Sequence, residues 1–384
     1  MRIGINASFL RKPFTGTGQV TINFLRKIGE RSDVEFILYT EEPIPQEIDL
    51  PRHFIHRSFL PLWKRDDLIR KVWWEKYCLP RAVKLDNCDV FISLYQSSTI
   101  LPKSIRHIMV VHDIIPKLFP EYLNNSRKQL HWHLTERGIR QADRIVAVSH
   151  HTEKDLIQHL GLLPAHVSVV PIDVDPIFKR PVSSERSAET LRKYDLSPGY
   201  LYTGGGLEVR KNTENTLLAY KILRERAKEE GNDGLIPRLV ISGALSPQLV
   251  PLVTDVERRV KELDLLPFVR ILGFVPQEDV PALYHNARAF LFPSKYEGFG
   301  LPVLEAMNLG VPIVTSKRSS LPEVGRDAVL YVDPDDPDDI SLAIRNILGN
   351  DSIRRTLSER ARERAKRFSW KRFSDTVLHI AVGH

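Results

Sequence analysis

The chain has 384 residues, 42% of them hydrophobic and 27% charged, with a formal net charge of +7 and two cysteines, Cys78 and Cys88. That length favours two domains, since single cores stop growing near about 250–300 residues, and two thiols away from any Cys/His cluster exclude a disulfide scaffold and a zinc site, so a reducing cytosol is the expected setting. No stretch approaches the ~20 apolar residues of a membrane span, and no signal-peptide pattern precedes the first strand. The positive balance suits anionic partners such as nucleotide diphosphates or lipid headgroups; aromatics are not interleaved with basic residues, so a nucleic-acid partner is not expected.

In chain order, the first half reads as short β-rich apolar runs at 2–6, 35–39, 90–94, 108–111, 144–148 and 168–170, separated by helical patterns. The second half repeats the grammar with runs at 200–203, 238–242, 269–272, 289–292, 312–315 and 329–332. Runs of this kind suit strands buried on both faces of a parallel sheet, with helices as crossovers. The expectation is α/β architecture with two Rossmann-like, doubly wound domains facing a central cleft. Residues 1–178 would form the first domain and 190–367 the second, with the polar, Ser- and Pro-bearing segment 176–198 as linker.

Several segments carry possible chemistry. After the first strand comes Phe14-Thr15-Gly16-Thr17-Gly18-Gln19-Val20, a G-x-G loop lacking the third glycine and the distal acid of a dinucleotide fingerprint. Gly16 and Gly18 there permit either close approach to a phosphate or simple flexibility. The stretch from Trp63-Lys64-Arg65 to Trp73-Trp74-Glu75-Lys76-Tyr77 reads as a core helix with basic edges, or as a face toward a membrane-borne acceptor. His112, in Val110-Val111-His112-Asp113-Ile114-Ile115-Pro116, falls at the carboxyl end of a strand, in a structural or a catalytic role, and Asp113 would brace the next turn.

In the second half, Gly204-Gly205-Gly206-Leu207-Glu208-Val209-Arg210-Lys211-Asn212 follows a strand. A glycine-rich loop followed by Arg-Lys offers one flat donor fork and one point charge to a diphosphate; it is otherwise a turn with surface cations. The segment Lys295-Tyr296-Glu297-Gly298-Phe299-Gly300-Leu301-Pro302-Val303-Leu304-Glu305-Ala306 follows another strand and opens a helix with proline in its first turn. Amides from Gly300 to Val303 would then face an anion. Glu297 in the loop would accept from sugar hydroxyls and Glu305, in the first turn, from ribose; the plain alternative is a solvated Glu297 and a Glu305 that complements the helix dipole. The acidic run Asp333-Pro334-Asp335-Asp336-Pro337-Asp338-Asp339 reads as a turn and helix cap rather than a metal site. The basic run 354–367 reads as a solvated helix face.

Together these segments resemble the retaining glycosyltransferases of the GT-B fold, in the large family 4 group. The Glu297-to-Glu305 spacing looks like that family's signature, and 273–294, 310–315, 142–149 and 112–122 are similar to its standard segments. The resemblance implies that Arg210 and Lys211 neutralise the donor diphosphate, that Glu297 and His112 hold the transferred sugar, and that Glu305 holds the ribose. It implies contacts from Phe299, Gly300 and Leu301 to sugar or phosphate, approach of the phosphates at Gly16, Gly18 and Gly205, and a last helix, 368–384, crossing back onto the first domain. Many relatives have an arginine where this chain has Gly206. The style of the motifs is similar to bacterial mannosyltransferases of polysaccharide assembly, which implies GDP-mannose as donor, with UDP-glucose and UDP-N-acetylglucosamine close behind. A saccharide or lipid-linked acceptor, no metal or other cofactor, a cytoplasmic location and peripheral contact with the inner membrane face complete the expectation. A non-hydrolysing sugar-nucleotide epimerase and a nucleotide-sugar-binding pseudoenzyme are the alternatives.

Overall fold

The computed structural model describes residues 1–31, 33–46, 48–51, 53–59 and 67–383, with residues 67 and 247 described by their backbone alone. Trp63, Lys64 and Arg65 lie outside the described residues. The chain divides into two compact units, Met1–Asp173 with the C-terminal segment from Phe368, and Val174–Arg367.

The first unit is built on seven strands: β1 (Arg2–Asn6), β2 (Glu35–Thr40), β3 (Ile55–Ser58), β4 (Val90–Ser93), β5 (Arg106–Val111), β6 (Arg144–Ala147) and β7 (Val167–Val169). They form one parallel sheet in the order β3-β2-β1-β4-β5-β6-β7. The apolar runs set its register, with Ile3 opposite Phe36 and Ile5 opposite Leu38, all four of them buried. β3 has no counterpart among the expected strands. Its sequence, Ile-His-Arg-Ser, is mostly exposed at the sheet edge, so no apolar run marks it. The strand order reverses between β1 and β4, which makes that pair the topological switch point, where open α/β sheets bind ligands.

The second unit has six strands: β8 (Tyr200–Thr203), β9 (Leu239–Ser242), β10 (Val269–Gly273), β11 (Ala287–Phe292), β12 (Ile313–Ser316) and β13 (Leu330–Val332). They are parallel in the order β10-β9-β8-β11-β12-β13, and the switch point lies between β8 and β11. Leu201, Ile241, Leu291 and Val314 from four of these strands meet Leu217 and Ile344 in one core.

Two expectations change. The segment expected as linker carries a helix, Ser184–Tyr194, that belongs to the second unit. Arg186 and Lys193 pair with the buried carboxylate of Asp279 at 2.6 and 2.7 Å, and the Tyr194 hydroxyl donates to it at 2.7 Å. The basic run lies on the helix Asp351–Ala365 but is not simply solvated. Arg354, Arg362 and Arg364 donate to the carbonyls of Leu348, Leu309 and Glu323, satisfying helix-end acceptors. The core helix expected around Trp73 and Trp74 is present: 67–85 is helical throughout, with a π turn at Trp74–Cys78. Trp74 turns into the core, whereas Trp73 and Tyr77 stay outside with their rings 5.0 Å apart. No helix among the described residues is long and apolar enough to cross a membrane.

The last helix, Trp370–Val382, returns to the first unit. Phe373, Val377 and Ala381 are fully buried, and the Phe373 ring meets Phe24 of the helix Gly16–Ile28 edge-on at 6.1 Å. Ser369 caps it by accepting from the Arg372 amide.

Candidate functional site

In the second unit the loops leaving β8 and β11 meet at the switch point. After β8 the chain turns through Gly205 and Gly206, at φ +91° and +112°, into a short 3-10 turn, Val209–Lys211. Gly205 is required twice over: its φ is left-handed, and a Cβ would come 2.8 Å from the Pro302 ring. Asn212, also left-handed, ties the loops together by donating to the carbonyls of Pro293 at 3.0 Å and Pro334 at 2.6 Å. The Lys295 amide donates to the Arg210 carbonyl at 2.7 Å.

These ties bring Arg210, Lys211 and Glu297 into one cluster. Arg210 Nη1 and Lys211 Nζ lie 2.9 and 2.8 Å from Glu297 Oε1, and the Ser294 hydroxyl is 2.9 Å from the same oxygen. Glu297 Oε2 makes no hydrogen bond among the described residues. Burial pushes the Glu297 carboxyl upward, but Lys211 and Arg210 outweigh it and hold it below the usual carboxylate range. Lys211 also stands over the Phe292 ring at 4.9 Å. That ring stacks on Phe290, which packs on Tyr284 and Tyr202, so the ammonium rests on a rigid aromatic floor. The backbone of the Glu297 loop is pinned from β12's side: the Glu297 amide donates to Ser319 at 2.9 Å, and the Ser320 hydroxyl donates to the Glu297 and Phe299 carbonyls.

Gly300, at φ +105°, is the N-cap of the helix Leu301–Leu309, with no side chain capping it. The open amides are fewer than expected. Pro302 has no N–H and the Val303 amide donates to the Gly300 carbonyl, so among the described residues those of Gly300 and Leu301 remain. Phe299 is buried and walls the turn. Glu305 falls in the second helical turn, not the first, because the helix starts at Leu301. Its carboxylate accepts from the Tyr284 hydroxyl at 3.1 Å, and burial pushes its pKa up to about 7.

Ser294, Asn212, Ser320 and Tyr284 were not singled out in the sequence. Only Asn212 carried a signal, as an asparagine at the turn before a helix. Glu208 carries no mark in the sequence either: its Oε2 is buried without a hydrogen-bond partner among the described residues, 2.5 Å from where a side chain at Gly206 would begin.

The remaining expected residues belong to the first unit. His112 follows β5; its Nε2 lies 2.9 Å from the Leu94 carbonyl, and burial lowers its pKa, so the ring is neutral with Nε2–H as donor and Nδ1 as acceptor. Asp113 accepts from the Ile115 amide at 3.0 Å, bracing the turn. Gly16 and Gly18 are not in a loop but in the first turn of the helix Gly16–Ile28, since Thr15 caps it by accepting from the Gly18 amide. A Cβ on Gly18 would strike the Lys12 carbonyl, so its smallness serves the protein's own backbone. Asp336 caps the helix Pro337–Gly349. Among the described residues no group of three or more His, Cys, Asp or Glu side chains is placed to hold a metal ion.

Two family models match: glycosyl transferases group 1 over residues 191–364 and glycosyltransferase family 4 over 14–177. An O-antigen chain mannosyltransferase B of Escherichia coli is 30% identical over 388 aligned residues, 99% of each chain. A serotype-specific mannosyltransferase WbdA of the same species is 29% identical over 72% of this chain, which spans 32% of that longer protein. Among solved structures, WaaG, a glycosyltransferase involved in lipopolysaccharide biosynthesis, superposes with a TM-score of 0.76 at 17% identity over the whole of both chains. Anabaena Alr3699/HepE in complex with UDP and glucose superposes at 0.74 and 16% identity, again over the whole of both.

Proposed function

The chain belongs to the family 4 (group 1) glycosyltransferases, of GT-B fold, and from that premise we propose that it transfers mannose from GDP-mannose, with retention, to a saccharide or lipid-linked acceptor in polysaccharide assembly. The observation that carries the donor site is the division of labour at Glu297. Its Oε1 is saturated by Arg210, Lys211 and Ser294, which fixes the carboxylate, while Oε2 stays open to accept from sugar hydroxyls. The mannosyltransferases at 29–30% identity support the sugar.

In this reaction the bond from the sugar C1 to the β-phosphate oxygen breaks, and the electron pair leaves with the phosphate. Arg210 and Lys211 offset the charge that develops there, aided by the open amides of Gly300 and Leu301. The acceptor hydroxyl oxygen bonds to C1 from the same face, and its proton passes to the departing phosphate oxygen. Glu305 holds the ribose, Gly205 and Gly16 keep the backbone bare where phosphates approach, Phe299 and Gly18 shape those turns, and His112 accepts from a sugar hydroxyl at Nδ1. No metal is required, since the phosphate charge is met by side chains and amides. A cytoplasmic enzyme working at the inner membrane face fits a lipid-linked acceptor, with exposed Trp73 and Tyr77 as the proposed contact.

Thermal unfolding with GDP, UDP and ADP tests the donor. A ligand at 100 times its dissociation constant adds about 2.7 kcal/mol to the folded state. GDP is expected to raise the midpoint and the other two much less. A shift with UDP alone would replace mannose by a UDP-linked sugar, and conversion of UDP-N-acetylglucosamine without acceptor would favour the epimerase.

A further inference from the structure

The first unit has its own switch point, between β1 and β4, and a charged cluster stands over it. Phe9 follows the end of β1 and Tyr95 the end of β4. Lys71 lies across both, its Nζ 5.5 Å from the Phe9 ring centre and 4.9 Å from that of Tyr95. Its counter-charge is Glu75, which is completely buried and 3.7 Å away. The Glu75 carboxylate is held rigidly: Oε1 accepts from the Tyr95 hydroxyl, and Oε2 from the amide and hydroxyl of Ser98, all at 2.8–2.9 Å. Tyr95 in turn accepts from Asn6 Nδ2 at 3.0 Å.

The arrangement parallels the donor cluster in kind: a lysine over an aromatic ring beside the central strand pair, neutralised by a buried glutamate that a serine braces. Two atoms are left over. Lys71 Nζ makes no hydrogen bond among the described residues, although its side chain is 20% exposed. Nearby, His131 Nε2 is buried without a hydrogen-bond partner, its ring within the electrostatic reach of Lys71 and Glu75.

We infer that Lys71 donates hydrogen bonds to hydroxyls of the acceptor saccharide. The ligand is a neutral sugar rather than a phosphate, because Glu75 already neutralises the ammonium; what the site offers is donors, not net charge. The half-buried Phe9 ring gives the C–H face of a sugar a surface to lie on. Glu75 is a positioning residue that acts through Lys71.

This assignment rests on the proposed transferase reading, and initial rates separate the two. The substrates are GDP-mannose and a chromophore-tagged mannose oligosaccharide, with each KM measured in the parent and in Lys71→Met, which keeps the aliphatic stem, and Lys71→Arg. Lys71→Met is expected to raise the acceptor KM at least about tenfold while the donor KM and the stabilisation by GDP stay within twofold of the parent, and Lys71→Arg is expected to recover part of the loss. Phe9→Ala, which leaves the ion pair intact, is expected to raise the acceptor KM as well. Acceptor KM values unchanged in Lys71→Met and Phe9→Ala would overturn the assignment. Neither transfer nor GDP stabilisation in the folded parent would overturn the GDP-mannose reading and this assignment with it.

Discussion

At Glu297 three donors converge on one carboxylate oxygen and leave the other open. Glu297→Gln keeps the shape and removes the charge, so the expected result is a loss of about 10- to 100-fold in kcat/KM, the scale of a hydrogen bond to a charged group, with the protein still folded by circular dichroism. A rate within twofold of the parent would remove Glu297 from the site. Glu305 makes a separate forecast through its raised pKa of about 7. Its folded form holds a proton that the unfolded chain has already released, so its contribution to stability is greatest below the unfolded carboxylate pKa. It is lost as pH rises toward 7. If the ionised form accepts from ribose, GDP affinity should rise from pH 6 to 8, and Glu305→Gln should flatten that dependence; isothermal titration at the two pH values measures it. The charged members of the site were legible as residues in the sequence. Their neutral supports were not: Ser294 and Ser320 act through positions that only the meeting of distant loops creates, and nothing in their local sequence marks them.

The two glycine-bearing turns show what an element contributes. The loop after β8 and the helix Leu301–Leu309 approach so closely that Gly205 faces the Pro302 ring. A proline ring cannot swing aside as a lysine tail would, so Gly205→Ala combines left-handed strain with a clash. The expected cost is about 1–3 kcal/mol or more, read as a lower urea midpoint, together with a weakened GDP-induced shift. A variant as stable as the parent would mean that the two loops pack less tightly than they stand here. Strands with apolar runs were legible because burial on both faces leaves an unbroken signature. β3 escaped because an edge strand has little to bury, and the helix Ser184–Tyr194 escaped because polar residues anchor it: its partner is Asp279, held below the usual carboxylate range by Lys193 and Tyr194 against the effect of burial.

Across the whole molecule, the chain returns at its end to the unit in which it began. The helix Trp370–Val382 buries Phe373, Val377, Leu378 and Ala381 against the first unit. A chain ending at residue 367 is therefore expected to lose protection from hydrogen exchange within 1–173 while 174–367 keeps it. Equal loss in both units would contradict that division. The repeated strand-helix grammar made the two sheets legible, because parallel pairing requires crossovers and the crossovers are long enough to read. The returning helix came only through resemblance, since an amphipathic segment does not say which sheet it will cover.

The most direct test is to incubate the protein with GDP-mannose and a mannose-terminated acceptor and follow the anomeric protons by NMR. The account requires one GDP released per new glycosidic bond, and an α-linkage in the product as in the donor. A β-linked product, or no product from protein that GDP does not stabilise, would contradict it.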